Sequence, residues 1–332
     1  MSTLSRRSLL GVLGLVPGSR ILYAQTQNSL PPGFSTTVKV VNLLATVRDR
    51  QGQVVKDLTQ DDFLLDEDGA PQIIRYFSRE TDLPLTLGLL VDTSGSVRQV
   101  LPEERSASNR FLDKVMREDK DMAFVIHFDF EVELLADLTS AKSNLRKSLD
   151  QLETGHWQHA GYGGGVRGHG GHFGGGTALY DAVFLGADEI MRKQHGRKAL
   201  IILSDGVDTG SKETLFGAIE SAQRADTLVY SILFEDRDGF GSPRWSGGRM
   251  GERDGRKVLQ RISGETGGHY FEASRRMPLE KVFEALEEEL RTQYSIGYTP
   301  SAGAASREFR RIHLTTRHKG LVVQTRDGYY PA

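Results

Sequence analysis

Leu85-Thr86-Leu87-Gly88-Leu89-Leu90-Val91-Asp92-Thr93-Ser94-Gly95-Ser96 is the stretch that decides the fold. From Leu85 to Val91 the run is almost continuously apolar, as expected of a strand covered by helices on both faces rather than one with a wet side. It stops at a carboxylate, and a loop of hydroxyls and one glycine follows. Downstream, Ala107, Phe111, Leu112 and Val115 recur at helical spacing. One buried strand, one polar loop and one amphipathic helix make the opening unit of an α/β sheet.

The same alternation continues toward the C-terminus. Strand-like runs at 124–128, 199–203 and 227–234 alternate with helical patterns at 140–152, 178–191, 212–225, 257–263 and 279–290. This order predicts an α/β domain with a doubly wound, mostly parallel sheet. Strand character also flanks it. Residues 36–47 are rich in Val, Leu and Thr, and 63–66 and 72–77 read as strands joined by an Asp68-Gly69 hairpin. Strands are expected again at 293–299, 309–316 and 321–326. Neither flank has enough strands to stand alone. The expected solution is a smaller β-sandwich built from both, with the α/β domain inserted. The organisation is then an export signal at 1–24, a linker at 25–33, a first sandwich segment at 34–81, the α/β domain at 82–292 and a second sandwich segment at 293–330.

The chain has 332 residues, no cysteine and a net charge of −2. That balance gives no basic footprint for nucleic acid or a membrane surface. Without cysteine there is no disulfide framework, thiolate metal site or cysteine nucleophile. At the N-terminus, Arg6 and Arg7 precede the apolar stretch Leu9 to Val16, and Leu22-Tyr23-Ala24 offers a small residue before a cleavage point. Ser5-Arg6-Arg7-Ser8-Leu9-Leu10 resembles a twin-arginine export signal, with the general secretory route as the alternative. The expectation is an exported, periplasmic or secreted protein with no transmembrane anchor after processing. Loss of Arg6, Arg7 and Arg20 would take the net charge from −2 to −5.

The chemistry concentrates where strands give way to helices. Asp92, Ser94 and Ser96 supply one carboxylate and two hydroxyls from a single loop that Gly95 allows to turn. Thr177 follows Gly174-Gly175-Gly176 at a helix start, and Asp205 ends the apolar strand Ala199 to Ser204. Such oxygen donors suit Mg²⁺ or Mn²⁺ rather than zinc. In order, spacing and strand context, Asp92, Ser94, Ser96, Thr177 and Asp205 resemble the metal-ion-dependent adhesion site (MIDAS) of von Willebrand factor type A (VWA) domains. The resemblance spans roughly residues 85–291, and the N-terminal β segment is similar to the exported bacterial VWA-related group. It implies that Ser94, Ser96 and Thr177 touch the metal while the two aspartates act through water or hydrogen bonds. The ion would keep most of its charge and seek a carboxylate from a partner's Asp or Glu.

Other features weigh less. His156, His159, His169 and His172 lie in a glycine-rich loop, 155–176, whose spacing fits no standard zinc pattern; a rim beside the main site, with Trp157, Tyr162 and Arg167 available to a partner, is the better reading. The 236–254 loop reads as a solvated insertion. Asp66-Glu67-Asp68-Gly69 lacks most ligands of a calcium loop and reads as a turn. The helix at 279–290 carries Leu279, Val282, Phe283, Leu286 and Leu290 on one face. The function expected is a metal-dependent, non-enzymatic protein-binding module. Two alternatives stay open: a structural envelope protein whose metal stabilises the fold, and a metal-dependent hydrolase using Asp92. The hydrolase has no obvious general base, His127 being placed within a strand.

Overall fold

The computed structural model describes residues 40–79, 83–97, 100–152, 176–234, 255–301 and 308–331. The export signal, the linker and the loops at 155–175 and 236–254 therefore lie outside the described residues, with their histidines and aromatics.

The central sheet has six strands: β5 (Leu85–Asp92), β6 (Met122–Phe128), β7 (Val132–Thr139), β8 (Arg197–Ser204), β9 (Leu228–Leu233) and β10 (Tyr270–Glu272). Their order is β10-β9-β8-β5-β6-β7, all parallel except the antiparallel edge strand β7. β5 and β8 are buried at every residue, as their continuous apolar sequences require. Odd-numbered residues of β5, such as Leu87 and Leu89, pack under α1 (Leu101–Val115), α2 (Lys142–Asp150) and α6 (Leu279–Arg291). Even-numbered Leu90 joins Leu200 and Ile202 under α3 (Leu179–Phe184), α4 (Leu215–Arg224) and α5 (Gly255–Thr266). The fold is thus the expected doubly wound α/β type.

The flanking strands make two more sheets. β1 (Val41–Arg48), β4 (Ile74–Arg79), β11 (Tyr294–Tyr298) and β13 (Val322–Gln324) form one, in the order β13-β1-β11-β4. β2 (Phe63–Glu67), β3 (Ala70–Pro71), β12 (Arg310–Thr316) and β14 (Gly328–Tyr329) form the other, in the order β14-β12-β2-β3. Their inner faces share one core, in which Leu43, Phe63, Tyr294 and Ile312 meet. This is a small sandwich that draws strands from both ends of the chain.

Three local readings need correction. The Asp68-Gly69 turn is real, with φ of 51° and 81°, but it closes only the two-residue β3. The chain then leaves that sheet, and β4 pairs with β11 in the other one. The helix read over 178–191 is α-helical only to Phe184; a π turn over Leu185–Ile190 and a 3₁₀ turn over Met191–Lys193 complete it. β7 and β10 were not expected at all.

Candidate metal centre

Parallel strands that alternate with helices expose their carboxyl ends along one edge, and a ligand is expected there. Asp92 is the last residue of β5, which lies between β8 and β6. Asp205 follows β8, and Asp129 follows β6. Asp92 is 0% exposed, and its two oxygens are used locally. Oδ1 accepts the Ser94 N–H at 2.9 Å, which fixes the start of the loop, and Oδ2 accepts the Ser204 hydroxyl at 2.6 Å from the neighbouring strand. Ser204 Oγ in turn accepts the Gly206 N–H at 2.9 Å, so one hydroxyl ties the two loops together. Asp205 shapes its own loop by accepting the Val207 N–H at 3.0 Å. Gly206 sits at φ 80° against the start of α5, where an added Cβ would lie 2.3 Å from the Gly255 carbonyl oxygen, so no larger residue fits.

Thr177 stands at the start of α3, and its backbone links two loops. Its N–H donates to Thr209 Oγ1 at 3.0 Å, its carbonyl accepts from Thr209 and Gly210, and the next N–H, of Ala178, donates to the Asp129 carbonyl at 2.6 Å. The loops after β6 and β8 are thereby clamped to the threonine. The structure accordingly brings Asp92, Ser94, Thr177 and Asp205 to one sheet edge. Ser96 is in the short 3₁₀ turn Gly95–Val97, and its side chain lies outside the described residues.

Two carboxyls here are electrostatically unmatched. Burial pushes Asp92 up to about 6, against the Ser204 and Ser94 hydrogen bonds, and the nearby Asp205 charge pushes the same way. Glu104, in the first turn of α1, is also 0% exposed, and neither of its oxygens has a hydrogen-bond partner. Burial, followed by the charge of Asp92, holds its carboxyl well above the usual range. Ser108, one turn further on, likewise has a buried hydroxyl without a partner. The helix N-terminus favours an acid at Glu104 but supplies only part of a unit charge. Burying a carboxylate without a cation or hydrogen bonds is costly. A divalent cation beside Asp92 is the group that offsets such a charge, so the residues present fit one. Among the described residues no group of three or more His, Cys, Asp or Glu side chains could hold a metal, so a cation here would need hydroxyls or water to complete its shell.

The sequence sets His127 aside as a general base because it falls within a strand, and the structure places it in β6. It lies near the carboxyl end of β6, where one ring nitrogen is 3.2 Å from Thr93 Oγ1 and the other 3.0 Å from Glu133. The order hydroxyl, imidazole, carboxylate is that of an acyl-transfer triad. Thr93 is only 1% exposed, however, and its hydroxyl also reaches the Phe128 carbonyl. The chain of contacts holds Thr93, between Asp92 and Ser94, in place.

Residues 87–207 match the family model of the von Willebrand factor type A domain. No curated protein matches the chain. Among solved structures, an aerotolerance-related membrane protein from Bacteroides fragilis is 16% identical, with 62% of this chain and 98% of that one covered and a TM-score of 0.46. BatB from Bacteroides thetaiotaomicron is 16% identical over 62% of this chain and 97% of its own, with a TM-score of 0.44. Proximal thread matrix protein 1 from the mussel byssus, described with a zinc-occupied MIDAS motif, is 14% identical over 68% of this chain and 49% of its own, with a TM-score of 0.47. No helix among the described residues is long and apolar enough to cross a membrane.

Proposed function

We propose that this chain is an exported protein whose α/β domain binds a protein partner through a divalent cation, Mg²⁺ or Mn²⁺, held by Ser94, Ser96 and Thr177 with Asp92 and Asp205 behind them. The observation that carries the reading is the unmatched negative charge at the carboxyl edge of the sheet: Asp92 and Glu104 are fully buried, and no basic side chain pairs with either among the described residues. The match of residues 87–207 to the VWA model supports it. With neutral hydroxyls next to the ion, the cation keeps charge for an incoming ligand, which favours an Asp or Glu carboxylate on the partner. Arg6 and Arg7 before an apolar stretch support export.

Calorimetric titration of the protein with MgCl₂ and MnCl₂ tests the reading. One saturable site is expected in the wild type and none in Asp92→Ala or Asp205→Ala. Unchanged affinity in both variants would refute the assignment. Capture of a partner in Mg²⁺ but not in EDTA separates partner binding from a purely structural metal.

A further inference from the structure

At the opposite, amino end of the central sheet, a cavity of about 540 Å³ lies between the sandwich and the α/β layers. β1 forms one wall with Asn42 and Leu44; the starts of β8 and β9 form another, and Tyr329 and Tyr330 close it. Among the described residues four cations line it, Lys198, Arg224, Arg310 and Arg326, against one acid, Asp226.

Two of these cations are taken up by partners elsewhere. Arg224 pairs with Glu220 at 2.7 Å and lies over the Tyr330 ring, 4.1 Å from its centre. Arg310 pairs with Glu67 at 3.1 Å. Arg326 spends one terminal nitrogen on Asp226 and the other on the Asn42 carbonyl, at 2.9 Å, but its Nε is buried with no hydrogen-bond partner. Lys198 is 8% exposed, and among the described residues its single hydrogen bond is a long one, 3.4 Å to the Gln194 carbonyl. An ammonium carries three donors, and a buried one left mostly unmatched is costly. Its neighbourhood is poor in acid: burial and the nearby Arg326 hold the amine below its usual range, opposed only by Asp226.

We infer that this cavity is a binding site for a small organic carboxylate, whose oxygens accept from the Lys198 ammonium. The donor count decides the class. The bond to Gln194 leaves two of the three ammonium donors unmatched, and they serve the two oxygens of one carboxylate; Arg224, Arg310 and Arg326 already have acidic partners, so the extra charge of a phosphate meets no further free cation among the described residues. Val41, Leu44, Leu228, Pro300 and the tyrosine rings add apolar surface to the wall that suits a hydrocarbon or aromatic body on the acid.

The test uses the full chain and three probes, phenylacetate, 2-phenylethanol and inorganic phosphate, followed by backbone amide chemical shifts. Phenylacetate is expected to give saturable shifts around Lys198, Tyr329 and Arg326, equally in Mg²⁺ and in EDTA. The uncharged alcohol and phosphate should bind at least about tenfold more weakly, since each lacks one half of the match. Lys198→Met should weaken phenylacetate binding by a similar factor. Should that variant not fold, the comparison of acid with alcohol on the wild type still decides the matter. Absence of phenylacetate binding, equal binding of the alcohol or of phosphate, or full affinity in a folded Lys198→Met protein overturns the proposal.

Discussion

The two ends of the central sheet treat buried acids in opposite ways. At the carboxyl end, Asp92 and Glu104 are buried without a cationic partner, and the hydrogen bonds to Asp92 come from neutral groups. At the amino end, where the sandwich docks, the buried acid is matched. Glu289 of α6 is 1% exposed and receives Arg48 of β1 at 2.9 Å. Arg197 there donates to the carbonyls of Leu290 and Leu83, and Gln293 donates to the Tyr230 hydroxyl at 2.9 Å. Matching makes one end a permanent joint. Leaving charge unmatched makes the other a site that gains most when something binds.

The comparison breaks most sharply if the joint is unmatched on purpose. Arg48→Met leaves Glu289 buried with no cation, and loss of one partner of a buried pair is expected to cost about 3–5 kcal/mol. Chemical denaturation measures this directly. The double variant Arg48→Met, Glu289→Leu should recover most of the loss, because the strain lies in the leftover charge. Equal stability of the wild type and Arg48→Met would mean that the joint does not depend on pairing.

At the other end, pH takes the place of mutation. Asp92 binds its proton more tightly in the folded protein, with its value at about 6 against 3.8 for the ordinary carboxyl. Between those limits the folded state holds more protons than the unfolded one, so stability from this group is full below pH 4 and is lost as pH rises to about 6. The loss amounts to roughly 3 kcal/mol in metal-free protein. Asp92→Asn should remove that part of the profile in EDTA. Metal affinity runs the opposite way, rising through the same window as the carboxyl ionises. Denaturation midpoints of both proteins across pH 4–7 check the sign.

A smaller effect is expected from Glu104→Gln. The amide keeps the shape of the side chain and stays neutral without taking up a proton, whereas burial forces the carboxyl to hold one, so metal-free stability at neutral pH should rise by about 1–2 kcal/mol. In saturating Mg²⁺ the gain should shrink, since the cation benefits from a nearby carboxylate. A variant less stable than wild type in EDTA would show that Glu104 has a partner that its charge requires.

Much of this contrast was legible beforehand. Leu85 to Val91 announced a strand buried on both faces, and Asp92-Thr93-Ser94-Gly95-Ser96 fell at its carboxyl end because parallel strands place their loops there. Glu104 was legible in principle. It shares the helical phase of Leu101, Ser108 and Phe111, so the apolar stripe that marks α1 also buries the acid. β7 escaped because it is a mostly uncovered edge strand with shifted register against β6, which erases the two-residue alternation. The joint was out of reach, since Arg48 and Glu289 are 241 residues apart and nothing local marks either as paired.

The finest test of the comparison is Thr177→Ala. In this structure the threonine holds the loops with its backbone: its N–H reaches Thr209 Oγ1, and its carbonyl accepts from Thr209 and Gly210. The substitution keeps both groups and deletes the hydroxyl and the γ-methyl of a buried side chain, so metal-free stability should fall by only about 1 kcal/mol. Cation affinity should still fall, by roughly tenfold if one oxygen ligand is lost and water replaces it imperfectly. Thr177→Ser restores the hydroxyl and should restore affinity. These outcomes separate a residue that builds the loop from one that serves the ion. A large loss of stability in EDTA, with metal affinity unchanged, would assign Thr177 to the scaffold and leave the cation to the aspartate-serine loop alone.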